Sequence, residues 1–139
     1  MGELARFGVS LDEGLLKKFD SLCDRQGYSS RSEALRDVIR NALVQDSLQS
    51  DSAEAAGVLT LVYDHHVPDL SHKLNQRQHD DYGLVVASMH VHLDHHHCLE
   101  ILVLKGAAGK LRTLADQLRS IRGVMCGNFS LTAIGADLP

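Results

Sequence analysis

The chain has 139 residues, is 44% hydrophobic and carries a formal net charge of −4, which argues against wholesale disorder and against a broad basic coat for nucleic acid. No apolar run reaches the roughly 18 residues of a membrane span, and the first residues lack the apolar core of a signal peptide. Three cysteines do not make a disulfide framework, so we expect a cytoplasmic protein of one ordinary domain or two small ones, without a membrane partner.

The chain begins with a predicted strand that is followed by two predicted helices. Near the N-terminus, Arg6, Gly8 and Ser10 alternate with apolar side chains, which indicates a short strand with one polar face. Capping boxes that begin at Ser10 and Ser30 each precede an apolar stripe at helical spacing. Residues 1–46 are therefore predicted to form strand, helix, turn and helix.

A segment of this size with a single strand has too little core to fold alone, and its strand has two unpaired edges. Pairing with the same strand of a second copy would solve both problems and give a two-fold dimer with one polar ribbon. An antiparallel ribbon fits the major groove of DNA, where arginine bonds bidentately to guanine. We therefore predict binding of double-stranded DNA through Arg6, Gly8 and Ser10, with a solvated strand edge as the alternative.

The remaining chain is predicted to form a second domain after a small, polar linker over residues 47–56. In residues 57–139 the apolar patterns indicate a buried strand, a helix opened by Pro68, two strands joined by a tight polar turn, a helix and a last strand. The order βαββαβ is that of a ferredoxin-like domain, so the predicted fold class is α+β.

Histidine is the most informative residue type, because all nine copies lie between His65 and His97. His90 and His92 share one face of a predicted strand, since alternate strand residues point the same way, and Cys98 begins the partner strand of the hairpin. Two imidazoles and a thiolate in one place favour Ni(II), Cu(II), Co(II) or Zn(II) over Mg²⁺ and Ca²⁺, which prefer oxygen ligands.

The best candidate for a fourth ligand is His79, from the same chain or from a neighbouring subunit. A site shared across an interface would couple metal binding to assembly. Glu100 has the same-face spacing as Cys98 and is expected to orient a ligand. The other histidines are interpreted as surface or turn residues, namely His65, His66, His72, His95, His96 and His97.

The sequence lacks the motifs of common enzyme classes. It contains no phosphate-binding loop, nucleophile elbow or HExxH motif, and a thiol nucleophile with a histidine base is the one enzymatic arrangement left open. We predict that the chain is not an enzyme. A regulator of the same build that responds to another metal or a small molecule, or a metal-binding protein without DNA activity, remains as an alternative.

Several stretches together resemble the nickel-responsive regulators with a ribbon-helix-helix module, the NikR family. They are Val9-Ser-Leu-Asp-Glu13, Gly27-Tyr-Ser-Ser-Arg-Ser-Glu-Ala34, His90-Val-His-Leu-Asp-His95 and Cys98-Leu-Glu-Ile101 followed by Val103-Leu-Lys-Gly106. The resemblance covers nearly the whole chain. It implies a homotetramer, in which two ribbon-helix-helix dimers flank a core of four C-terminal ACT-type domains.

The resemblance also implies a ligand set and a function. One Ni(II) per subunit would be bound in a square plane by His90, His92 and Cys98 of one subunit and His79 of another. Nickel would strengthen operator binding and usually repress genes for nickel uptake.

The resemblance also concerns a second cation site and the residues that read DNA. The residues that match Glu33 and Asp37 can help hold a second cation between the two domains of family members. This sequence departs from the family where DNA is read, with Gly8 in place of a second ribbon threonine and Val67-Pro68 in place of a basic pair. The operator sequences and target genes of family members therefore cannot be assigned to this protein.

Overall fold

The computed structural model describes residues 2–81, 83–135 and 138–139. The chain divides into two compact units, Met1–Asn41 and Ala42–Pro139, which we call the N-terminal unit and the C-terminal unit and describe separately. Among the described residues, no helix is both long and apolar enough to cross a membrane.

The N-terminal unit contains the helix α1 (Glu13–Gln26) and the beginning of α2 (Arg31–Ser47). The first helix is capped by Asp12, whose carboxylate accepts the N–H of Leu15 at 2.9 Å. The predicted box that begins at Ser10 is therefore wrong, because the cap lies two residues later, directly before the helix. Gly27 ends α1 with a φ of 76°, a left-handed conformation that glycine adopts without steric cost.

The second predicted capping box is confirmed in its first half. Ser30 Oγ accepts the N–H of Glu33 at 3.1 Å. The Glu33 carboxylate does not return to Ser30 but accepts from the backbone N–H of Ser29 at 3.3 Å and from its hydroxyl at 2.5 Å. Ser30 thus caps the first turn of α2, and Ser29 holds the Glu33 side chain by donating two hydrogen bonds to it.

Residues 2–12 form no strand in the single chain, although the sequence predicts one near Arg6. A strand is defined by the ladder of hydrogen bonds to a neighbour, and the described part of the N-terminal unit supplies no second strand. Leu4 and Phe7 are left 90% and 70% exposed. Apolar side chains left in water in this way indicate a surface that another chain covers.

The C-terminal unit has the element order that the sequence predicts. Its elements are β1 (Glu54–Asp64), α3 (Leu70–Asp80), β2 (Val85–His92), β3 (His97–Ala107), α4 (Ala108–Arg119) and β4 (Val124–Ala133). The strands form one antiparallel sheet in the order β2-β3-β1-β4, the ferredoxin-like arrangement. The first strand begins at Glu54 and not at Gly57, because Ala55 is fully buried and pairs with strands on both sides.

The core lies on one face of this sheet. Alternate residues of the central strands, such as Leu59 and Leu102, are fully buried and belong to one apolar cluster with side chains of α3 and α4. Each buried leucine contributes about 1.5–3 kcal/mol relative to an exposed one. The opposite face, with Val58 paired to Val103 and with Met89 beside them, stays partly in water in the single chain.

Candidate metal centre

The β2–β3 hairpin sets the position of four predicted site residues. His92 is the register partner of Cys98, and His90 is the register partner of Glu100. Because alternate residues share a face, all four side chains lie on the side of the sheet that carries the core. The hairpin is also at the edge of the sheet, where β3 is the one neighbour of β2 among the described strands, so His90 and His92 remain exposed while Cys98 and Glu100 are buried.

The turn between these strands is held by Asp94. Its carboxylate accepts the backbone N–H groups of His96 at 2.8 Å and of His97 at 2.7 Å, and it pairs with Nδ1 of His97 at 2.8 Å. The hydrogen bond from His97 lowers the pKa of Asp94 well below its usual range, and the same bond raises the pKa of His97. The turn therefore fixes the register that puts Cys98 opposite His92.

The thiol of Cys98 is the most enclosed atom of the candidate site. Its Sγ lies 3.1 Å from Nδ1 of His65 and 3.4 Å from Nδ1 of His92. Burial raises the pKa of Cys98, and burial together with the neighbouring imidazoles of His66 and His92 lowers the pKa of His65. A neutral imidazole is ready to bind a metal, whereas the thiol must first lose its proton.

His90 is held beside this group by a buried network. Its Nδ1 lies 3.3 Å from the hydroxyl of Tyr63, which donates to Glu100 Oε2 at 3.2 Å. Gln78 of α3 donates to the other oxygen of Glu100 at 2.9 Å. Burial and the negative charge of Glu100 raise the pKa of Tyr63, so the hydroxyl keeps its proton and remains a donor. The network connects β1, β2, β3 and α3 around one carboxylate.

Within one chain, the structure brings together only part of the predicted ligand set. Among the described residues, the ligand atoms of His65, His92 and Cys98 lie within 4.8 Å of one another, whereas His90 and His79 belong to no such group. The ring of His90 is nevertheless close, with its centroid 5.2 Å from that of His92. His79 is exposed in the last turn of α3.

His65 is the residue that the sequence reasoning missed. It was expected at the surface but is half-buried against Cys98, because β1 is the neighbour of β3 and Tyr63 pairs with Cys98. A second group of ligand atoms within 4.8 Å, formed by Asp64, His65 and His66, extends from it towards solvent. The ferredoxin-like order of the elements could have predicted this contact. That order makes the first and third strands neighbours and brings the end of β1 to the beginning of β3.

The donor atoms at this edge fit a transition metal. Imidazole nitrogens and one thiolate are the ligands that suit nickel, copper, cobalt and zinc, and the buried carboxylate of Glu100 supports the strand that carries them. The other cysteines lie elsewhere, since Cys23 is buried in the N-terminal unit and Cys126 is exposed on β4. Cys98 is thus the one thiol among the described residues that has metal-binding neighbours.

The remaining predicted site residues lie in the N-terminal unit. Arg6, Gly8 and Ser10 are exposed, as a DNA-contacting surface requires. The Asp37 carboxylate accepts the hydroxyl of Tyr28 at 2.7 Å, and Glu33 is bonded to Ser29 as described above. In the described part of the chain, neither carboxylate belongs to a group of three metal-binding side chains.

Comparison with known proteins assigns a family to both parts of the chain. Residues 56–132 match the family described as the NikR C-terminal nickel-binding domain, and residues 5–46 match the family described as ribbon-helix-helix protein, copG family. Curated relatives from Lawsonia intracellularis, Desulfovibrio desulfuricans and Geobacter sulfurreducens are 61%, 59% and 49% identical over 138 residues, 99% of each chain. Each of the three bears the name "Putative nickel-responsive regulator".

Proposed function

The chain belongs to the family of nickel-responsive regulators that join a ribbon-helix-helix domain to a NikR C-terminal nickel-binding domain, and on this basis we propose how its residues bind nickel and DNA. It is a DNA-binding transcriptional regulator and not an enzyme.

The proposed nickel centre is formed by His90, His92 and Cys98 of one subunit and His79 of another, with one Ni(II) per subunit. The main support for this ligand set is the contact between an exposed imidazole and a buried thiol at the edge of the sheet, where His92 Nδ1 lies 3.4 Å from Cys98 Sγ. His90 is on the same face, and His79 is exposed on a separate helix, free to serve a neighbouring chain.

The chain's own groups prepare this centre. Glu100, through Tyr63, holds His90 in place, and through Gln78 it holds the helix that carries His79. Nickel, when bound, supplies the bonds that join ligands of two subunits. Metal can strengthen DNA binding only by favouring the DNA-competent arrangement over the others, and a tenfold gain in operator affinity requires about 1.4 kcal/mol of coupling.

The proposed assembly is a homotetramer made of two dimers. Each N-terminal unit would cover the exposed Leu4 and Phe7 of its partner by pairing their strands into a ribbon. The partly exposed apolar face of the C-terminal sheet, with Met89 and Val103, would supply a second interface. A second cation would be held with the help of Glu33 and Asp37.

The ribbon would place Arg6, Gly8 and Ser10 in the major groove of operator DNA. We propose that the nickel-loaded form represses genes for nickel uptake. Operator selection with and without nickel, followed by metal analysis of the DNA-bound protein, tests this directly. Equal operator affinity with and without nickel at fixed salt would refute nickel control, and selection of another metal in the bound protein would favour a regulator of the same build with a different metal.

Sharing of the site between subunits can be tested by complementation. His79→Ala and Cys98→Ala subunits should each lack the thiolate-to-nickel absorption band of the complete site. When the two variants are unfolded together and refolded as mixed assemblies, sites that combine intact His79 with intact Cys98 should restore part of the band. A mixture that regains nothing, or a His79→Ala protein with unchanged nickel affinity, would contradict a shared site.

A further inference from the structure

Among the described residues, side-chain hydrogen bonds connect the last turn of α3, which carries His79, to the rest of the C-terminal unit. The buried apolar residues of this helix, Leu70 and Leu74, both lie in its first half. The helix also begins poorly, because Asp69 has a φ of 65° and makes no capping hydrogen bond with its side chain. A helix of this length is marginal without tertiary contacts, so its last turn depends on what holds it from outside.

In the described part of the chain, two side-chain hydrogen bonds connect this turn to two different elements. Gln78 donates to Glu100 of β3 at 2.9 Å, which ties the turn to the sheet. Arg77 donates from Nη2 to the side-chain carbonyl of Gln117 on α4, which ties the turn to the neighbouring helix. Arg77 and Gln78 immediately precede His79 in the chain. The turn that carries His79 is therefore bonded to α4 through one of these residues and to β3 through the other.

Arg77 is suited to this connection by its shape. Its planar guanidinium offers several N–H donors in a fixed fork, and Arg77 Nη2 also lies 3.2 Å from the carboxylate of Asp81. The backbone N–H of Asp81 in turn donates to the carbonyl of His79 at the end of the helix. The Arg77 side chain therefore bonds Gln117 of α4 and also Asp81, the C-cap residue at the end of α3.

We propose that Arg77 is a positioning residue for His79: its bond to Gln117 holds the last turn of α3 in the pose that presents this histidine to the metal centre of a neighbouring subunit. The inference rests on the proposed function, in which His79 is a ligand. A ligand that is ordered before the metal arrives loses less conformational freedom on binding, so the bond strengthens nickel binding without touching the ion.

Gln117→Ala tests the bond from its far end, on an exposed side chain of α4 that is not among the proposed ligands. We expect nickel affinity to fall roughly threefold to tenfold, the range of the net contribution of one ordinary hydrogen bond, because this bond is exposed to solvent. At saturating nickel the thiolate-to-nickel band should be unchanged, because the ligands are the same. Amide hydrogen exchange in residues 76–81 of the metal-free protein should become faster.

Thr113→Ala is the matched control, because Thr113 lies one turn earlier on the same helix and its hydroxyl donates to the carbonyl of Gly109 within that helix. It should leave nickel affinity unchanged. The swapped pair Arg77→Gln with Gln117→Arg rebuilds the bond in the opposite direction and should bind nickel more tightly than Arg77→Gln alone. A swapped pair no better than the single variant would overturn the proposal.

A cycle with His79→Ala separates this inference from the proposed function. In that background, Gln117→Ala should cause no further loss of nickel affinity, since the positioned ligand is already gone. A further loss of the same size would show that Arg77 acts elsewhere and would overturn the inference while leaving the ligand set intact. A His79→Ala protein with unchanged affinity would instead remove His79 from the centre, and with it both proposals.

Discussion

His92 and Cys98 are direct register partners across the β2–β3 hairpin, with Nδ1 of the histidine 3.4 Å from Sγ of the cysteine. The turn that joins them is closed by Asp94 and by a hydrogen bond from Leu93 N to His97 O at 2.9 Å. These two donor atoms thus meet through local structure, before any subunit contact forms. The rest of the proposed ligand set depends on longer-range packing and on a second chain.

Cys98→Ser should abolish the thiolate-to-nickel absorption band and tight nickel binding, because a serine hydroxyl keeps the size of the side chain but is not a soft anionic donor. The measurement is a nickel titration followed by absorption and by competition with a chelator. Cys126→Ser is the control, since this exposed thiol lies on β4, and it should titrate as the unchanged protein does. A band that survives in Cys98→Ser would mean that another group holds the metal.

Local patterns in the sequence were enough to predict most of the C-terminal unit. Alternation of apolar residues fixes which faces of β1 and β3 are buried, and it places His90, His92, Cys98 and Glu100 on one side. His65 was missed because its contact with Cys98 joins strands that are distant in sequence, and such contacts follow from sheet order and not from periodicity.

The N-terminal unit shows a different limit of the sequence reasoning. The strand predicted near Arg6 finds no pairing partner among the described residues of its own unit, so the ladder that would define it does not form in a single chain. The Ser-x-x-Glu pattern predicts a cap at Ser10, whereas the observed cap is Asp12, a residue of equal capping strength that stands directly before the helix. Spacing alone does not decide between two capping residues so close together.

Nickel affinity should rise with pH in the neutral range. Burial raises the pKa of Cys98 above its ordinary value of 9.0, so the thiol of the metal-free protein is protonated there and must release its proton when nickel binds. One proton released per metal corresponds to about a tenfold gain in apparent affinity per pH unit. Competition titrations at several pH values, corrected for protonation of the chelator, measure this slope, and an affinity independent of pH would contradict it.

Glu100→Gln should destabilise the metal-free protein by about 1–3 kcal/mol, because two hydrogen bonds to a buried charged acceptor are weakened or lost. It should also lower the pKa of Tyr63, since the charge of Glu100 helps to raise it. The raised pKa means that Tyr63 contributes stability below about pH 10, which is lost as the pH rises through its folded-state value. Urea unfolding and alkaline absorption titration measure both effects, with exposed Glu54→Gln as the control.

Asp12→Ala should lower the stability of the N-terminal unit by about 1 kcal/mol, the usual contribution of a helix cap. Ser10→Ala should have little effect on stability, because the carboxylate of Asp12 and not the hydroxyl of Ser10 bonds the first turn of α1. Thermal unfolding followed by circular dichroism distinguishes the two variants. If Ser10→Ala were the more destabilising change, the helix would be capped by Ser10, as the sequence pattern predicts, and not by Asp12.

Arg6→Ala should weaken binding to operator DNA by about 1–3 kcal/mol if its guanidinium bonds to a base in the major groove. The side chain is exposed, and the net charge of −4 provides little general attraction for DNA, so specific contacts must supply much of the affinity. Binding should be measured at fixed salt on operator and on random DNA of equal length, with Arg25→Ala, in the last turn of α1, as the control. A base contact predicts a loss largely confined to the operator. Equal losses on both DNAs, with a shallower dependence on salt, would identify Arg6 as a phosphate contact instead.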